Sequence, residues 1–291
     1  MPRACIHITQ VAGDFPINDR LSALHINSIA EFWRDPALPY VETRRACHSR
    51  ACYKPHSHPT FSIGAVDQGI SRFTGAIDGP MRIGPGSVVF VPSDCVHACN
   101  PLPDTAWSYQ MLHLNADWLD AVWQEAAMTR HECVVLTLDA AIYTKFCQLN
   151  DLLFSQVSAP EKEAALIEFI GDCDNTMQSK TMVTMPAYAM RERIQPALDF
   201  LHQDSVGITP IAELAAMAGL SRYQLIRAFR LSTGMAPHAY QLNLCINQAR
   251  ERIRAGEALA DVAYTLGFSD QSHFQRVFKE HAGVTPGRYR S

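Results

Sequence analysis

At 291 residues and 47% hydrophobic content the chain is long enough for two domains with real cores. No run approaches the roughly 18 apolar residues of a membrane span. The start, MPRACIHITQVAGDFP, has no continuous apolar stretch of the secretory kind, so nine irregularly spaced cysteines predict reduced thiols in a cytoplasmic protein. The net charge of −4 is uneven: from Arg191 onward 12 Lys+Arg face 9 Asp+Glu, leaving 13 against 20 in the remainder. A mildly basic C-terminal third behind an acidic body suits a nucleic-acid-binding module on a larger domain.

Residues 1–50 are ambiguous. LSALHINSIAEFWR reads equally as a short helix or as two edge strands. From Ala51 to Asn115 short apolar or alternating runs are punctuated by Gly and Pro. They are Phe61–Gly69, Ile70–Ile77, Met81–Cys99 and Ala106–Asn115. Strands at spacing near ten residues predict a small antiparallel barrel or sandwich. Three helices follow. Asn115 caps ADWLDAVWQEA. Asp139 caps a second helix with Ile142, Phe146, Leu149, Leu152, Leu153 and Val157 on one side. Ser158 before Pro160 opens the third. The latter two suit a dimer face or packing on the barrel equally well. SKTMVTMPAYA, from Ser179 to Ala189, lacks periodicity and reads as a linker. The predicted organisation is an effector-binding and dimerisation domain over 1–178, a linker over 179–190 and a helical domain over 191–291.

Within the last domain Arg191–His202 is an amphipathic helix. Thr209 then caps a helix with Pro210 at its first position and a buried stripe of Ile211, Leu214, Ala215 and Ala218. Gly219 turns the chain and Ser221 caps a second helix that buries Leu225, Ala228 and Phe229. Its outer face carries Arg222, Tyr223, Gln224, Ile226, Arg227 and Arg230. The pattern recurs. Ala263–Leu266 closes a helix, Gly267 supplies a positive φ, and Ser269 or Asp270 caps a helix burying Phe274, Val277 and Phe278. Gln271, Ser272, Gln275, Arg276 and Lys279 lie on its other side. The two copies align without gaps from Ala212 and Asp261 onward. Ala215 pairs with Tyr264 as a tight contact, Arg227 with Arg276, Phe229 with Phe278 and Gly234 with Gly283. Such repetition is far more specific than either copy. A long helix over Pro237–Ala255 would hold both reading helices on one side, about 34 Å apart, one turn of a DNA duplex.

Arg191–Ser291 closely resembles the DNA-binding domain of AraC/XylS-family transcriptional regulators. The residues are Ile211–Ala215, Gly234, Pro237, Tyr240, Ala249, the run from Val262 to Lys279, and Gly283–Pro286. The resemblance implies an α+β protein whose all-α C-terminal domain has two helix-turn-helix units. It would be an activator acting on a double-stranded operator, a homodimer in contact with RNA polymerase, and not an enzyme. By position Tyr223, Gln224, Ile226 and Arg227 match the first reading helix, and Gln271, Ser272, Gln275 and Arg276 the second. Cys245 departs from the family, which usually has a structural Arg there. Chemistry agrees on roles: Arg227 and Arg276 suit guanine, Gln271 or Gln275 base edges, and Arg222, Arg230, Lys279 and Arg288 phosphates.

His56-Ser57-His58, Gly69, Pro85-Gly86, Pro92 and His97 resemble a cupin barrel, as in the sensory domains of this family. The resemblance implies His56, His58 and His97 as ligands of a divalent metal, although the usual glutamate is missing from Phe61–Gly64. Cys52, Cys95 and Cys99 could add thiolates, which would make a metal or redox sensor. A cupin dioxygenase or isomerase is argued against by the absent carboxylate. The leading expectation is a small organic effector with no cofactor required. Its walls would be His56, His58, Ser62, Phe73, Phe90, His97, Trp107 and Tyr109.

Overall fold

Alternation along the strands sets the N-terminal architecture. The structure, a computed structural model, describes residues 29–75, 79–128, 133–178, 188–203 and 207–290. Its strands are β1 (Ile29–Trp33), β2 (Val41–Ser49), β3 (Thr60–Gln68), β4 (Ser71–Thr74), β5 (Met81–Ile83), β6 (Val88–Val91), β7 (Ala98–Pro101), β8 (Trp107–Asn115) and β9 (Val135–Thr137). One sheet runs β1-β2-β8-β3-β6-β9 and the other β5-β4-β7, with every pairing antiparallel. The domain is the expected cupin-like antiparallel fold, built as two sheets.

Successive strand residues point to opposite faces. Phe61, Ile63, Val88, Phe90, Leu112 and Leu114 face one way into the larger core. There the helices α1 (Ala116–Glu125), α2 (Ala140–Phe154) and α3 (Ala159–Gln178) cover the sheet with Leu119, Phe146, Leu149, Leu153, Leu166 and Phe169. Val66, Val89, Val91, Trp107 and Tyr109 face the other way, toward Phe73 and Ile83 of the small sheet. The buried residues of α2 and α3 thus join the core under the sheet, while Val157 and Ile167 stay exposed. The expected caps are in place: Asn115 accepts from the Trp118 amide at 2.9 Å, and Asp139 from the Ala141 amide at 2.9 Å. The stretch Met81–Cys99 divides at Gly84–Gly86, as its glycines and proline lead one to expect, into β5 and β6, and Gly86 takes φ +82°. Of the expected linker, 179–187 lie outside the described residues.

The C-terminal domain comprises α4 (Tyr188–Gln203), α5 (Ile211–Met217), α6 (Arg222–Thr233), α7 (Pro237–Arg254), α8 (Leu259–Thr265), α9 (Gln271–Ala282) and α10 (Pro286–Arg290). It has two cores. Ile194, Leu198, Leu214, Leu225 and Phe229 build one; Ile246, Ile253, Val262, Phe274 and Phe278 build the other, so α7 serves both.

Two expectations need correction. Thr209 caps nothing: Pro210 occupies the N-cap position, and the Thr209 backbone is instead held by the Gln241 amide in both directions. The copies also do not align without a gap. From α5 to α8 the offset is 48 residues, pairing Leu214 with Val262 and Ala215 with Ala263, all buried, and Gly219 (φ +62°) with Gly267 (φ +75°). From α6 to α9 it is 49, pairing Leu225 with Phe274 and Gly234 (φ +75°) with Gly283 (φ +73°). The second turn is one residue longer, and Tyr264 is 87% exposed rather than a contact. Where α6 begins on a capping box between Ser221 and Gln224, α9 begins on Asp270, which accepts from the His273 amide at 2.7 Å.

Candidate functional site

The two domains meet over a cavity of about 250 Å³ whose lining comes from both. On the N-terminal side Ser57 is gripped by α7: its amide donates to Asn243 Oδ1 at 3.1 Å, and its carbonyl accepts from Asn243 and Asn247. Arg34 donates to the Tyr289 carbonyl at 2.9 Å, and Lys54 pairs with Glu280 at 2.6 Å. Glu42, buried on β2, takes Arg34 at 2.6 Å, with Arg254 at 3.6 Å and the Tyr289 hydroxyl at 3.3 Å. The coulombic pull of Arg34 leads those that outweigh desolvation and hold the Glu42 carboxyl below its usual range.

His56 and His97 come from facing loops joined by a β-bridge, and His58 lies beside them with ring centroids 4.7 to 5.4 Å apart. The three expected imidazoles are therefore together, and His113 of β8 adds a fourth, 5.0 Å from His58. Their tautomers follow from their partners. Nδ1 of His56 and of His97 donate to the carbonyls of Lys54 (2.7 Å) and Cys95 (2.9 Å), leaving both Nε2 lone pairs free. His58 differs: its Nδ1 lies 2.7 Å from Nη1 of Arg250 on α7, and a guanidinium only donates. In neutral His58 the proton then sits on Nε2, which has no lone pair to give. Two free imidazoles beside a buried guanidinium, without the usual carboxylate, are a poor fit for a divalent metal. Of the expected thiolates, burial pushes the Cys95 and Cys99 thiols up to about 11 and 12, and Cys52 is exposed.

Burial holds His56, His58, His97, His113 and His281 below the usual histidine range, with His113 at about 3. A histidine kept neutral in the fold stabilises it above its unfolded pKa of 6.5, and that stability is lost as pH falls toward the folded value. Each such proton costs about 1.4 kcal/mol per pH unit. Chemical denaturation at pH 7.5 and 5.5 should therefore show stability falling by several kcal/mol, with more than one proton bound on unfolding.

Of the expected effector walls, His56, His58, Phe73, His97, Trp107 and Tyr109 line the cavity. Two do not. Phe90 points into the helix-covered core, because the cavity face of β6 is Val89 and Val91. Ser62 sits behind the wall, 2.9 Å from His113 Nδ1. Sequence reasoning missed His113 and Met111, although Trp107, Tyr109, Met111 and His113 are one period-two series. It also missed Arg44 of β2 and the residues from the other domain, Arg250 and His281.

On the opposite business of the chain, Arg222, Tyr223, Gln224, Arg227 and Arg230 are exposed on α6, with Ile226 half-buried. Gln271, Ser272, Arg276 and Lys279 are exposed on α9, with Gln275 half-buried. Gln224 Oε1 is committed to its own helix, accepting from the Ser221 amide at 3.0 Å. Arg288, expected at a phosphate, donates to the Ala30 carbonyl of β1 at 2.9 Å.

Comparison with known proteins matches both halves in this order. Residues 38–170 match the AraC-like ligand binding domain and residues 214–291 a helix-turn-helix domain. The chain belongs to the AraC family of transcriptional regulators. Among relatives of this AraC-type chain, an uncharacterised HTH-type regulator, YbfI of Bacillus subtilis, is 25% identical over 82% of this chain and 87% of its own. The transcriptional activator RhaS of Yersinia pestis is 32% identical over 34% of this chain and 37% of its own. The fold is shared with ToxT from Vibrio cholerae, at a TM-score of 0.55 and 13% identity, covering 90% of this chain and 96% of that one. A second ToxT structure, described as bound to an unsaturated fatty acid, gives a TM-score of 0.55 at 15% identity, over 90% and 94%. No helix among the described residues is long and apolar enough to cross a membrane.

Proposed function

We propose that this AraC-family regulator reads a bipartite operator with α6 and α9 and is controlled by an organic effector held in the interdomain cavity. The observation carrying the proposal is that one cavity is lined by the sheets and by α7, the helix shared by both reading units. An occupant touching both sides favours whichever arrangement of the domains it fits, and so biases the reading helices. We assign base contacts to Arg227, Arg276, Gln271, Ser272, Gln275, Tyr223 and Ile226, and phosphate contacts to Arg222, Arg230 and Lys279. Gln224 then contributes through its free amide nitrogen. The protein acts in the cytoplasm as a homodimeric activator that contacts RNA polymerase. RhaS, a transcriptional activator, supports the activator role, and ToxT with its bound unsaturated fatty acid supports an organic effector.

Arg276→Ala should weaken operator binding by roughly 1–3 kcal/mol and relax the preference at one base position. Arg230→Ala should instead weaken all sequences about equally and lower the salt slope by about one. Genome-wide mapping of bound sites, followed by gel-shift titration on the strongest, tests both. An unchanged affinity and preference for the Arg276 variant would remove that residue from the reading face.

A further inference from the structure

At the 49-residue offset the two reading helices match in exposure, position by position. Leu225, Ala228 and Phe229 are buried, and so are their counterparts Phe274, Val277 and Phe278. Ile226 and Gln275 are half-buried at equivalent places, and Arg227 and Arg276 follow them, exposed. Both helices have 12 residues and end on a left-handed glycine, so equivalent residues stand at the same height on each. What differs is the chemistry of the outer side chains. The position two before each arginine's buried neighbour is spoken for in both helices. Gln224 closes the capping box with Ser221, while His273 lies 3.1 Å from the Ser269 hydroxyl through Nδ1 and packs against Phe268 at 5.5 Å. The side chains of Arg227, Gln275 and Arg276 enter no hydrogen bond or ion pair among the described residues. Past the helix tips, the side chains left to meet bases are therefore Ile226-Arg227 in one helix and Gln275-Arg276 in the other.

Each of these groups has a distinct complement in the major groove. An arginine presents two parallel N–H donors, which fit O6 and N7 of guanine. A glutamine presents one donor and one acceptor, which fit N7 and N6 of adenine. An isoleucine presents only hydrocarbon, and the apolar feature of the groove is the C5 methyl of thymine. From this juxtaposition we infer that the two operator half-sites share a guanine and differ at the adjoining base pair. Under α6 that pair offers a thymine methyl to Ile226; under α9 it offers an adenine edge to Gln275. This rests on the reading by α6 and α9 proposed above and gives the half-sites their bases. Both adjoining pairs are A·T, yet different atoms of the pair are sensed. A G·C pair in either place is rejected, for different reasons. Against Ile226 its polar edges would be covered without partners, and against Gln275 the donor and acceptor would not match.

The test uses the full-length protein and the strongest site from genome-wide mapping, with each half-site altered separately. Selection from a library randomised over both half-sites should return a guanine in each with an A·T pair beside it. Replacing the adjoining thymine by uracil removes only the methyl; it should weaken binding about threefold or more in the α6 half-site and leave the α9 half-site unaffected. Replacing the adjoining adenine by 7-deazaadenine removes only the N7 acceptor; it should cost about threefold or more in the α9 half-site and nothing in the α6 half-site. Gln275→Ile should carry the uracil sensitivity over to the α9 half-site, and Ile226→Gln should abolish it in the α6 half-site. Should either variant fail to fold, the modified bases measured with the unaltered protein decide the matter. Tolerance of uracil in the α6 half-site, tolerance of 7-deazaadenine in the α9 half-site, or selection of a G·C pair at either adjoining position overturns the inference. Arg227→Ala and Arg276→Ala separate the cases. If both leave affinity and the selected sequence unchanged, the helices do not read DNA and both proposals fall. If they lose the guanine preference while the modified bases have no effect, the reading stands and the adjoining bases alone are refuted.

Discussion

Phe278→Ala is expected to destabilise the C-terminal domain by about 3–5 kcal/mol, the usual cost of emptying a fully enclosed aromatic site. Phe278 is fully buried, with Phe274 at 5.7 Å and Tyr289 at 5.5 Å between ring centroids, both edge to face. Tyr289 in turn carries Arg34 over its ring at 4.5 Å and meets Phe32 at 5.5 Å. The cavity would therefore open where the second reading unit meets β1. Phe229→Ala is the matched control in the first unit, equally buried but packed against Tyr240 at 5.8 Å. Both variants should melt earlier. Phe278→Ala should in addition loosen the seam, seen as faster hydrogen exchange in β1 as well as α9. Exchange confined to α9 would mean that the Tyr289 bridge transmits nothing.

Gly283→Ala should cost more than Gly234→Ala, although both glycines end a reading helix in the left-handed region, at φ +73° and +75°. The conformational strain is common to the two, about 1–2 kcal/mol. The difference is what the new methyl meets. At Gly234 it would touch Val96 Cγ1 at 3.4 Å, an ordinary contact. At Gly283 it would overlap the Tyr53 hydroxyl and lie 2.6 and 2.7 Å from the ring atoms Cζ and Cε1. Tyr53 cannot swing aside: its hydroxyl is held by Arg44 and by the Tyr109 hydroxyl. Overpacking of this kind adds roughly 1–3 kcal/mol. Since the obstruction spans the domains, it should be relieved by their separation. Denaturant unfolding should thus place Gly283→Ala well below Gly234→Ala, and small-angle scattering should show an enlarged particle only for the former. Equal losses would mean that Tyr53 is free to move.

The helices were legible because their apolar residues repeat at helical spacing between recognisable caps, as at Asn115, Asp139 and Ser221. The extra residue in the second turn was not, since nothing local distinguishes Ala263 from Tyr264 as the buried partner once Gly267 and Phe268 both suit a turn. Strand β2 escaped notice for a different reason. Its faces are both polar: Thr43 bonds Asn150 and Arg45 pairs with Asp151 on the α2 side, while Glu42 and Arg44 serve the seam. Hydrophobic alternation has no purchase on such a strand. Half of the cavity was visible as aromatic and histidine positions in β-runs. The remainder comes from the polar strand β2, from Met111 and His113 of β8, and from α7 and α9, more than a hundred residues away in sequence, where Arg250 looks like any solvated residue on a long helix.

The longer turn before α9 gives the DNA reader a polarity. Ser221, a neutral cap, opens one reading helix, and Asp270, with its carboxyl held low by the amide hydrogen bond it accepts, opens the other with a negative charge at its tip. A reader with a head and a tail recognises an arrow rather than a palindrome. On the proposed reading by α6 and α9, one bound chain would have a defined upstream and downstream end, and reversing its site would turn the N-terminal domain to the other flank of the DNA.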